Sequence, residues 1–298
     1  MKNALERISQ TVWELHKKVQ EDPANFEYRY DLLRFLHESR LVAERQRGVA
    51  RDDHSFLLMQ ERESLCCLLL HGAGGSPREM RPLGEYLFKM GFTVYALSLP
   101  LAQGSNEDYV LGGVLNKLRN GNHRKGDERF KRGTSWSACL SMASIALNTV
   151  LAYTSNTYVV GFSFGGTIAL NLLENYPIRG AVLISPALVP VRTGRYIVFT
   201  VMRKILPFLV SRVAPREDTV IEFMEQTRRE IRTIQKPILV VQSAYDPVVS
   251  ARGFYLLKER AANTSSRFHL IYSRRHVIID GDESEQVFTL CSDFIKKI

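Results

Sequence analysis

The segment Gly161-Phe-Ser163-Phe-Gly165 has the G-x-S-x-G pattern of a nucleophilic serine in a sharp turn. It lies between an apolar, strand-like run, TYVVGF, and a helix-like run, TIALNLLENY. Glycines on both sides of the serine suit a turn that leaves no room for side chains. We therefore expect Ser163 to present its hydroxyl at a helix N-terminus, where the helix dipole stabilises negative charge. A glycine-rich turn with an idle serine is the alternative.

A serine hydroxyl becomes a good nucleophile when a neighbouring base removes its proton. Of the seven histidines, His276 follows the end of the strand-like run RFHLIY, and a loop over the sheet edge would bring it to Ser163. His269 lies inside that run, where a structural role is expected. The remaining histidines occupy the N-terminal helices, a linker, a strand end and a basic insert: His16, His37, His54, His71 and His123.

The base in turn needs a carboxylate that fixes its tautomer. Asp246, in AYDPVV, comes just after the strand-like run PILVVQ, and Pro247 prevents that run from continuing as a central strand. A turn aspartate before proline is the alternative interpretation. The order Ser163, Asp246, His276 along the chain is typical of a nucleophile on a strand-to-helix turn. Asp280 and Asp282 remain as substitutes for Asp246, although both could cap a helix.

A glycine-rich turn, His71-Gly-Ala73-Gly-Gly, ends another strand-like run, CCLLLHG. Such a turn can direct backbone amides at a developing oxyanion, and we assign this role to the amides of Ala73 and Phe164. A phosphate-binding loop is the alternative, but the lysine and the Ser/Thr of a P-loop are absent. His71 is expected to be structural.

These residues need a scaffold, and strand-like and helix-like segments alternate from about Phe56 onward. The alternation predicts an α/β fold whose mostly parallel central sheet carries helices on both faces. Apolar periodicity predicts an N-terminal helix over Leu5–Gln20, and Asp22-Pro23 is expected to end it and to cap a second helix. Residues 1–54 are thus predicted to form a helical hairpin. Parallel sheets place ligand sites at the carboxyl ends of their strands.

The segments LLLHGAGGSP, GFSFGGTIAL, AYDPVV and HVIIDGDE, in this order, resemble the α/β-hydrolase fold superfamily, and within it the bacterial carboxylesterase and monoacylglycerol lipase group. The resemblance extends from about Ser64 to the C-terminus. It implies Ser163 as nucleophile, His276 as general base and acid, and Asp246 as its orienting carboxylate. It also implies the amides of Ala73 and Phe164 as oxyanion donors, with no cofactor and no metal.

The sequence departs from that family in three places. Arg275 precedes His276 where the family usually has glycine, and LPLAQGSNED stands where the family often has a GHG-type turn. The hairpin at 1–54 lies outside the resemblance. We therefore expect a hydrolase domain at 55–298, with a basic insert at 101–133 and a cap at 187–235.

The net charge of +9 is concentrated in two segments of the chain. The piece 117–132 holds seven Lys or Arg against two acids, and 187–216 holds six against none. The basic, apolar cap is expected either to rest on an anionic membrane surface or to be an ordinary buried cap with solvated arginines. Basic charge without interleaved aromatics gives no expectation of nucleic-acid binding.

The composition argues against a secreted disulfide-rich protein, a zinc protein and a membrane-spanning protein. Four cysteines are too sparse for a disulfide framework, no zinc-ligand spacing occurs, and the N-terminus lacks a signal peptide's apolar stretch. The uncharged stretch 133–173 is interrupted by polar residues and glycines and does not predict a membrane span.

We therefore expect a cytoplasmic serine hydrolase, peripheral to the membrane where the cap binds it. Its expected substrates are lipid-type or medium-chain esters such as monoacylglycerol or lysophospholipid. The alternatives are a non-catalytic binding protein on the same fold, and a thioesterase or acyltransferase with the same triad. Acyl length, head group and oligomeric state are left open.

Overall fold

A computed structural model describes residues 2–100, 135–191 and 217–297 of the chain. Seven strands form one sheet in the order β1-β3-β2-β4-β5-β6-β7. Neighbouring strands are parallel except at one edge, where β1 pairs antiparallel with β3. The strands are β1 (Phe56–Leu58), β2 (Cys66–Leu70), β3 (Thr93–Leu97), β4 (Thr157–Phe162), β5 (Gly180–Ile184), β6 (Ile238–Ser243) and β7 (Arg267–Ile271). The predicted α/β class with a mostly parallel sheet is confirmed.

Helices cover both faces of this sheet. They are α1 (Lys2–Glu21), α2 (Phe26–Gln46), α3 (Pro77–Lys89), α4 (Ser135–Tyr153), α5 (Phe164–Asn175), α6 (Glu217–Glu230), α7 (Arg252–Arg260) and α8 (Ser284–Lys297). A short 3-10 turn, Arg51–Asp53, precedes β1.

The central strands are apolar throughout because each contributes side chains to two cores. In β2, Leu68 packs in the core shared with α4 and α5, whereas the adjacent Leu69 packs in the core shared with α3 and α8. Both side chains are fully buried. Strands β2–β6 are therefore a buried layer, and the loops at their carboxyl ends are the places that can carry functional groups.

The N-terminal helices pack on each other through a small apolar cluster that includes Val12 and Leu36. Leu33 of α2 joins the main core beside the sheet. The prediction that Asp22-Pro23 caps the second helix is wrong. Asn25 is the N-cap, since its side chain accepts a hydrogen bond from the Tyr28 amide at 3.3 Å, and the helix begins at Phe26. The division of the chain at residue 54 stays a prediction.

Helix α4 belongs to the uncharged stretch noted in the sequence. Within the described ranges, Trp136–Tyr153 is the one helix long and apolar enough to cross a membrane. Cys139, Ala143, Leu147 and Val150 of this helix lie in the main core. A core helix of this kind satisfies the same length and composition test as a membrane span.

Two predicted regions fall largely outside the described residues. The basic insert 101–133 is outside them entirely, together with His123. The cap 187–235 is described at its two ends, 187–191 and 217–235, so its basic, apolar middle, 192–216, is also outside them.

The four cysteines are free and buried. Burial raises the pKa of the Cys139 thiol to about 12. Burial also raises the pKa values of the Cys66, Cys67 and Cys291 thiols. Buried thiols of this kind are unreactive packing residues.

Candidate active site

Ser163 occupies the turn between β4 and α5, as its glycine spacing predicts. Its backbone is strained, with φ 53° and ψ −116°. A Cβ at Gly161 would overlap the Gly165 backbone, and a Cβ at Gly165 would overlap the Leu70 carbonyl. Both glycines are thus required by close backbone approach, which confirms the steric reason given for the motif.

Backbone hydrogen bonds hold this strained turn in place. The Ser163 amide donates to the Ile184 carbonyl of the neighbouring strand at 2.9 Å. The Ser163 carbonyl accepts from the Gly166 and Ala187 amides, each at 3.0 Å. The serine is fixed to β5 and to the chain that follows it, so its side chain has a defined direction.

His276 lies on the loop after β7 and reaches the serine. Its Nε2 is 2.9 Å from Ser163 Oγ, and its ring lies 5.2 Å from that of Phe162. Its Nδ1 is 2.7 Å from Asp246 Oδ2. Because an ionised carboxylate only accepts hydrogen bonds, Nδ1 carries the proton, and Nε2 is left to accept the serine hydroxyl.

Asp246 is held from several sides. Its Oδ1 accepts the backbone amides of Val248 at 2.8 Å and Val249 at 3.0 Å, and its side chain is fully buried. Gln242 Nε2 donates to Oδ2 at 3.4 Å. These donors fix the orientation of the carboxylate toward the imidazole.

The structure therefore brings together Ser163, His276 and Asp246. The substitute carboxylates do not join them, since Asp280 and Asp282 are exposed on the loop beyond the histidine.

Arg275 does not disturb this geometry. Its amide donates to Ser273 Oγ at 3.1 Å, and its guanidinium lies against Gly281, where a Cβ would overlap it. Gly281 has φ +102°, a conformation that suits glycine. The pKa of nearby Glu283 is lowered, first by a hydrogen bond with Ser273 and further by the Arg275 charge. The arginine thus packs along its own loop.

The glycine-rich turn after β2 lies beside the serine. A Cβ at Gly72 would be 3.3 Å from Ser163 Cβ, so Gly72 borders the nucleophile, and Ala73 is the next residue of the turn. Phe164, whose amide was assigned with that of Ala73, is the first residue of α5 and is fully buried.

His71 is buried and structural, as expected. The Leu99 amide donates to its Nε2 at 2.9 Å, so Nδ1 carries the proton and donates to the Gly72 carbonyl at 2.9 Å. Burial lowers the pKa of His71 to about 4, which keeps the imidazole neutral at pH 7.

Glu79 is a residue of this site that the sequence interpretation missed. Its Oε1 accepts a hydrogen bond from the Gly72 amide at 2.6 Å. A signal was available, because Ser76-Pro-Arg-Glu79 matches the S-x-x-E pattern in which a glutamate folds back toward a helix N-terminus. Here Ser76 is the N-cap of α3.

Across the described parts of the chain, no group of three or more His, Cys, Asp or Glu side chains is arranged to bind a metal ion. The arrangement found is instead that of proton transfer: a hydroxyl, an imidazole and a buried carboxylate in one line of hydrogen bonds.

Comparisons with known proteins identify relatives in sequence and in fold. Over 121 residues the chain is 31% identical to the thermostable monoacylglycerol lipase of Bacillus sp. (strain H-257), a match that spans 40% of either protein. It is similar in fold to a structure reported with the metagenome-derived lipolytic enzymes LipS and LipT, with TM-score 0.64, 16% identity, and coverage of 83% of this chain and 99% of that one.

A second solved structure, the monoacylglycerol lipase of Paleococcus ferrophilus, matches with TM-score 0.58 and 19% identity, over 82% of this chain and 98% of that chain. At such identities these structures show a shared fold. The profile described as the alpha/beta hydrolase family matches residues 67–287, which include the serine turn, Asp246 and His276. With that match over most of its length, the chain belongs to the alpha/beta hydrolase family.

Proposed function

We propose that this protein is a carboxylic ester hydrolase in which Ser163 is the nucleophile, His276 the general base and acid, and Asp246 the orienting carboxylate. The observation that carries the proposal is the continuous chain of hydrogen bonds, 2.9 Å from Ser163 Oγ to His276 Nε2 and 2.7 Å from Nδ1 to Asp246 Oδ2. With the proton on Nδ1 facing Asp246, Nε2 can accept the serine proton.

The first half of the reaction forms an acyl-serine. Ser163 Oγ attacks the ester carbonyl carbon while His276 Nε2 takes the hydroxyl proton. The tetrahedral intermediate collapses, the carbon–oxygen bond to the alcohol breaks, and His276 returns the proton to the departing alcohol. Asp246 stabilises the imidazolium formed between these two transfers.

The second half releases the acid. His276 removes a proton from water as its oxygen attacks the acyl carbon. The bond from that carbon to Ser163 Oγ then breaks, His276 returns the proton to Oγ, and the carboxylic acid is released. In both halves the amides of Ala73 and Phe164 stabilise the oxyanion, and the N-terminal end of α5 adds its dipole.

An apolar acyl group is the proposed specificity. Phe164 follows the serine in the chain, its ring is 5.7 Å from that of Phe223, and Trp136 stacks on Phe223 at 4.8 Å in the apolar core. Apolar side chains from the described end of the cap also meet the chain after β5 and β6, in a cluster of Ala187, Val220, Met224 and Val249. The relatives named as monoacylglycerol lipases support lipid-type or medium-chain esters.

The test is hydrolysis of p-nitrophenyl esters over a series of acyl lengths, together with fluorophosphonate labelling. Ser163→Ala is expected to abolish turnover and labelling. Ser185→Ala is the matched control, since Ser185 also has positive φ (43°) and a buried hydroxyl, but no place in the hydrogen-bonded chain. A medium-chain optimum would support the proposed substrate class.

The other outcomes separate the alternatives. A wild-type protein that neither turns over esters nor reacts at Ser163 would identify a non-catalytic binding protein. Faster cleavage of acyl thioesters, or acyl transfer to an added alcohol in preference to water, would identify a thioesterase or an acyltransferase.

Peripheral membrane binding by the basic cap is part of the same proposal, as is a cytoplasmic location. The membrane binding is supported by the sequence, since residues 187–216 include six basic and no acidic residues. Co-sedimentation with vesicles containing anionic lipid tests it. Binding that survives charge reversal of Arg203 and Lys204 would contradict a role for the cap charge.

A further inference from the structure

The turn between β2 and α3, residues 71–76, is held in place by hydrogen bonds to both backbone groups of one residue, Gly72. Glu79 Oε1 accepts the Gly72 N–H at 2.6 Å. The Gly72 carbonyl accepts from His71 Nδ1 at 2.9 Å and from the Gly75 amide at 3.2 Å. Both backbone groups of Gly72 therefore have a side-chain partner. We name residues 71–76 the oxyanion loop.

Fixing Gly72 also fixes the amide of Ala73. The Gly72 carbonyl and the Ala73 N–H belong to one planar trans peptide, so they point in opposite directions. Once the carbonyl is bound by His71, the direction of the Ala73 N–H is set. The Glu79 hydrogen bond restrains the preceding peptide in the same way, so that Gly72 cannot rotate.

Glu79 is closely enclosed by this loop. A Cβ at Gly75 would overlap its carboxyl group, which explains the second glycine of the pair Gly74-Gly75. Burial raises the pKa of Glu79, while the Gly72 hydrogen bond and the nearby His276 act in the opposite direction. The short hydrogen bond from the Gly72 amide offsets part of the cost of burying this carboxyl group.

We propose that Glu79 is a positioning residue, which orients the oxyanion loop through the Gly72 amide and so aims the Ala73 N–H at the oxyanion. This inference rests on the proposed ester hydrolysis. Glu79 acts through Gly72 and takes no proton from the substrate. Its removal leaves the Ser163–His276–Asp246 hydrogen bonds in place but lets the loop rotate.

The experiment compares Glu79→Ala, which removes the acceptor, with Glu79→Gln, which keeps an acceptor oxygen and removes the charge. Glu85→Ala is the matched control, because Glu85 lies on the same helix and pairs with exposed Arg81 at 3.7 Å. Measured quantities are kcat and KM for a p-nitrophenyl ester, and the inhibition constant of a trifluoromethyl ketone, whose adduct with the serine carries an oxyanion.

Glu79→Ala is expected to lower kcat by about tenfold to a hundredfold, with KM within about twofold, because an oxyanion donor acts in the transition state. Ketone binding should weaken by a similar factor. Glu79→Gln should recover kcat to within about threefold of wild type, since its amide oxygen can accept the Gly72 N–H. Glu85→Ala should match wild type.

Rates are expressed per active site titrated with fluorophosphonate, so unfolded protein does not count. If the alanine variant does not fold, Glu79→Asp, which shortens the side chain by one methylene, carries the same expectation. Wild-type kcat in Glu79→Ala would overturn the inference, and so would a glutamine variant as slow as the alanine variant.

Failure of this inference differs from failure of the proposed function. An active, labelled wild type beside an unaffected Glu79→Ala overturns the role of Glu79 alone. A wild type without turnover or labelling at Ser163 overturns both.

Discussion

Asp246 is the residue at which the proposed proton transfer can be tested with the least structural change. In Asp246→Asn, the amide oxygen can keep the hydrogen bonds from the Val248 and Val249 amides. The amide NH₂ then faces His276 Nδ1 and forces the proton onto Nε2, where it blocks acceptance of the serine hydroxyl. We expect kcat/KM to fall by roughly 10³–10⁴-fold, with the melting temperature close to that of wild type.

Asp280→Asn is the matched control for that measurement, since Asp280 is exposed just beyond the histidine. It should leave kcat/KM unchanged. A loss of activity confined to Asp280→Asn would mean that the wrong carboxylate has been assigned.

Substitution of Arg275 tests whether an arginine before His276, where the family usually has glycine, affects the function of the histidine. The Arg275 guanidinium lies against Gly281 on its own loop, so Arg275→Gly should keep kcat within about threefold of wild type. The free energy of unfolding should fall by about 1 kcal/mol, because glycine increases the conformational entropy of the unfolded chain. Urea denaturation and ester kinetics measure the two effects. A tenfold drop in kcat at unchanged stability would assign Arg275 a role in positioning His276.

The identity of the triad candidates could be predicted because each carries a local signal: glycine spacing for Ser163, strand ends for Asp246 and His276. Their distances could not, since they depend on how the ends of β4, β6 and β7 meet across the sheet. Glu79 was missed for a related reason. The S-x-x-E pattern at Ser76–Glu79 predicts that the glutamate turns back toward the N-cap amide, but its partner is the Gly72 amide, seven residues earlier.

At the scale of elements, strand positions were predicted well because buried parallel strands are continuous apolar runs. TYVVGF corresponds to β4 without an error at either end. Helix starts depend instead on single hydrogen bonds. The sequence pattern predicts the cap at Asp22-Pro23, and only the geometry shows that the Asn25 side chain accepts a hydrogen bond from the Tyr28 amide.

That helix start gives a stability prediction. Asn25→Ala should destabilise the protein by about 1 kcal/mol, because it removes the side-chain acceptor at the start of α2. Asn25→Asp should retain wild-type stability, since a carboxylate caps equally well. Asp22→Ala serves as the comparison and should cost less. Urea denaturation with circular dichroism detects the difference, and a larger loss in Asp22→Ala than in Asn25→Ala would restore the original interpretation.

At the scale of the whole molecule, the packing around the sheet leaves histidines in the interior without charge. His71 is 1% exposed between β2 and the chain after β3, and burial lowers its pKa to about 4. His37 of α2 packs against Tyr95 of β3, and burial, reinforced by Arg40, lowers its pKa to about 4 as well. Both imidazoles join elements distant in sequence, so their protonation affects the fold, and that of His71 also affects the oxyanion loop to which it belongs.

The consequence is a loss of stability in mild acid. The unfolded chain binds protons at these histidines near pH 6.5, whereas the folded chain resists them until about pH 4. Unfolding therefore takes up protons between these values, so the free energy of unfolding is fully retained above pH 6.5 and falls as the pH is lowered toward 4. His71 alone should account for up to about 3 kcal/mol. Urea denaturation at a series of pH values measures this dependence, and His71→Gln, which keeps an acceptor for the Leu99 amide, should flatten it. An unfolding free energy that is constant from pH 7 to pH 5 would show that the two histidines are not held neutral by the fold.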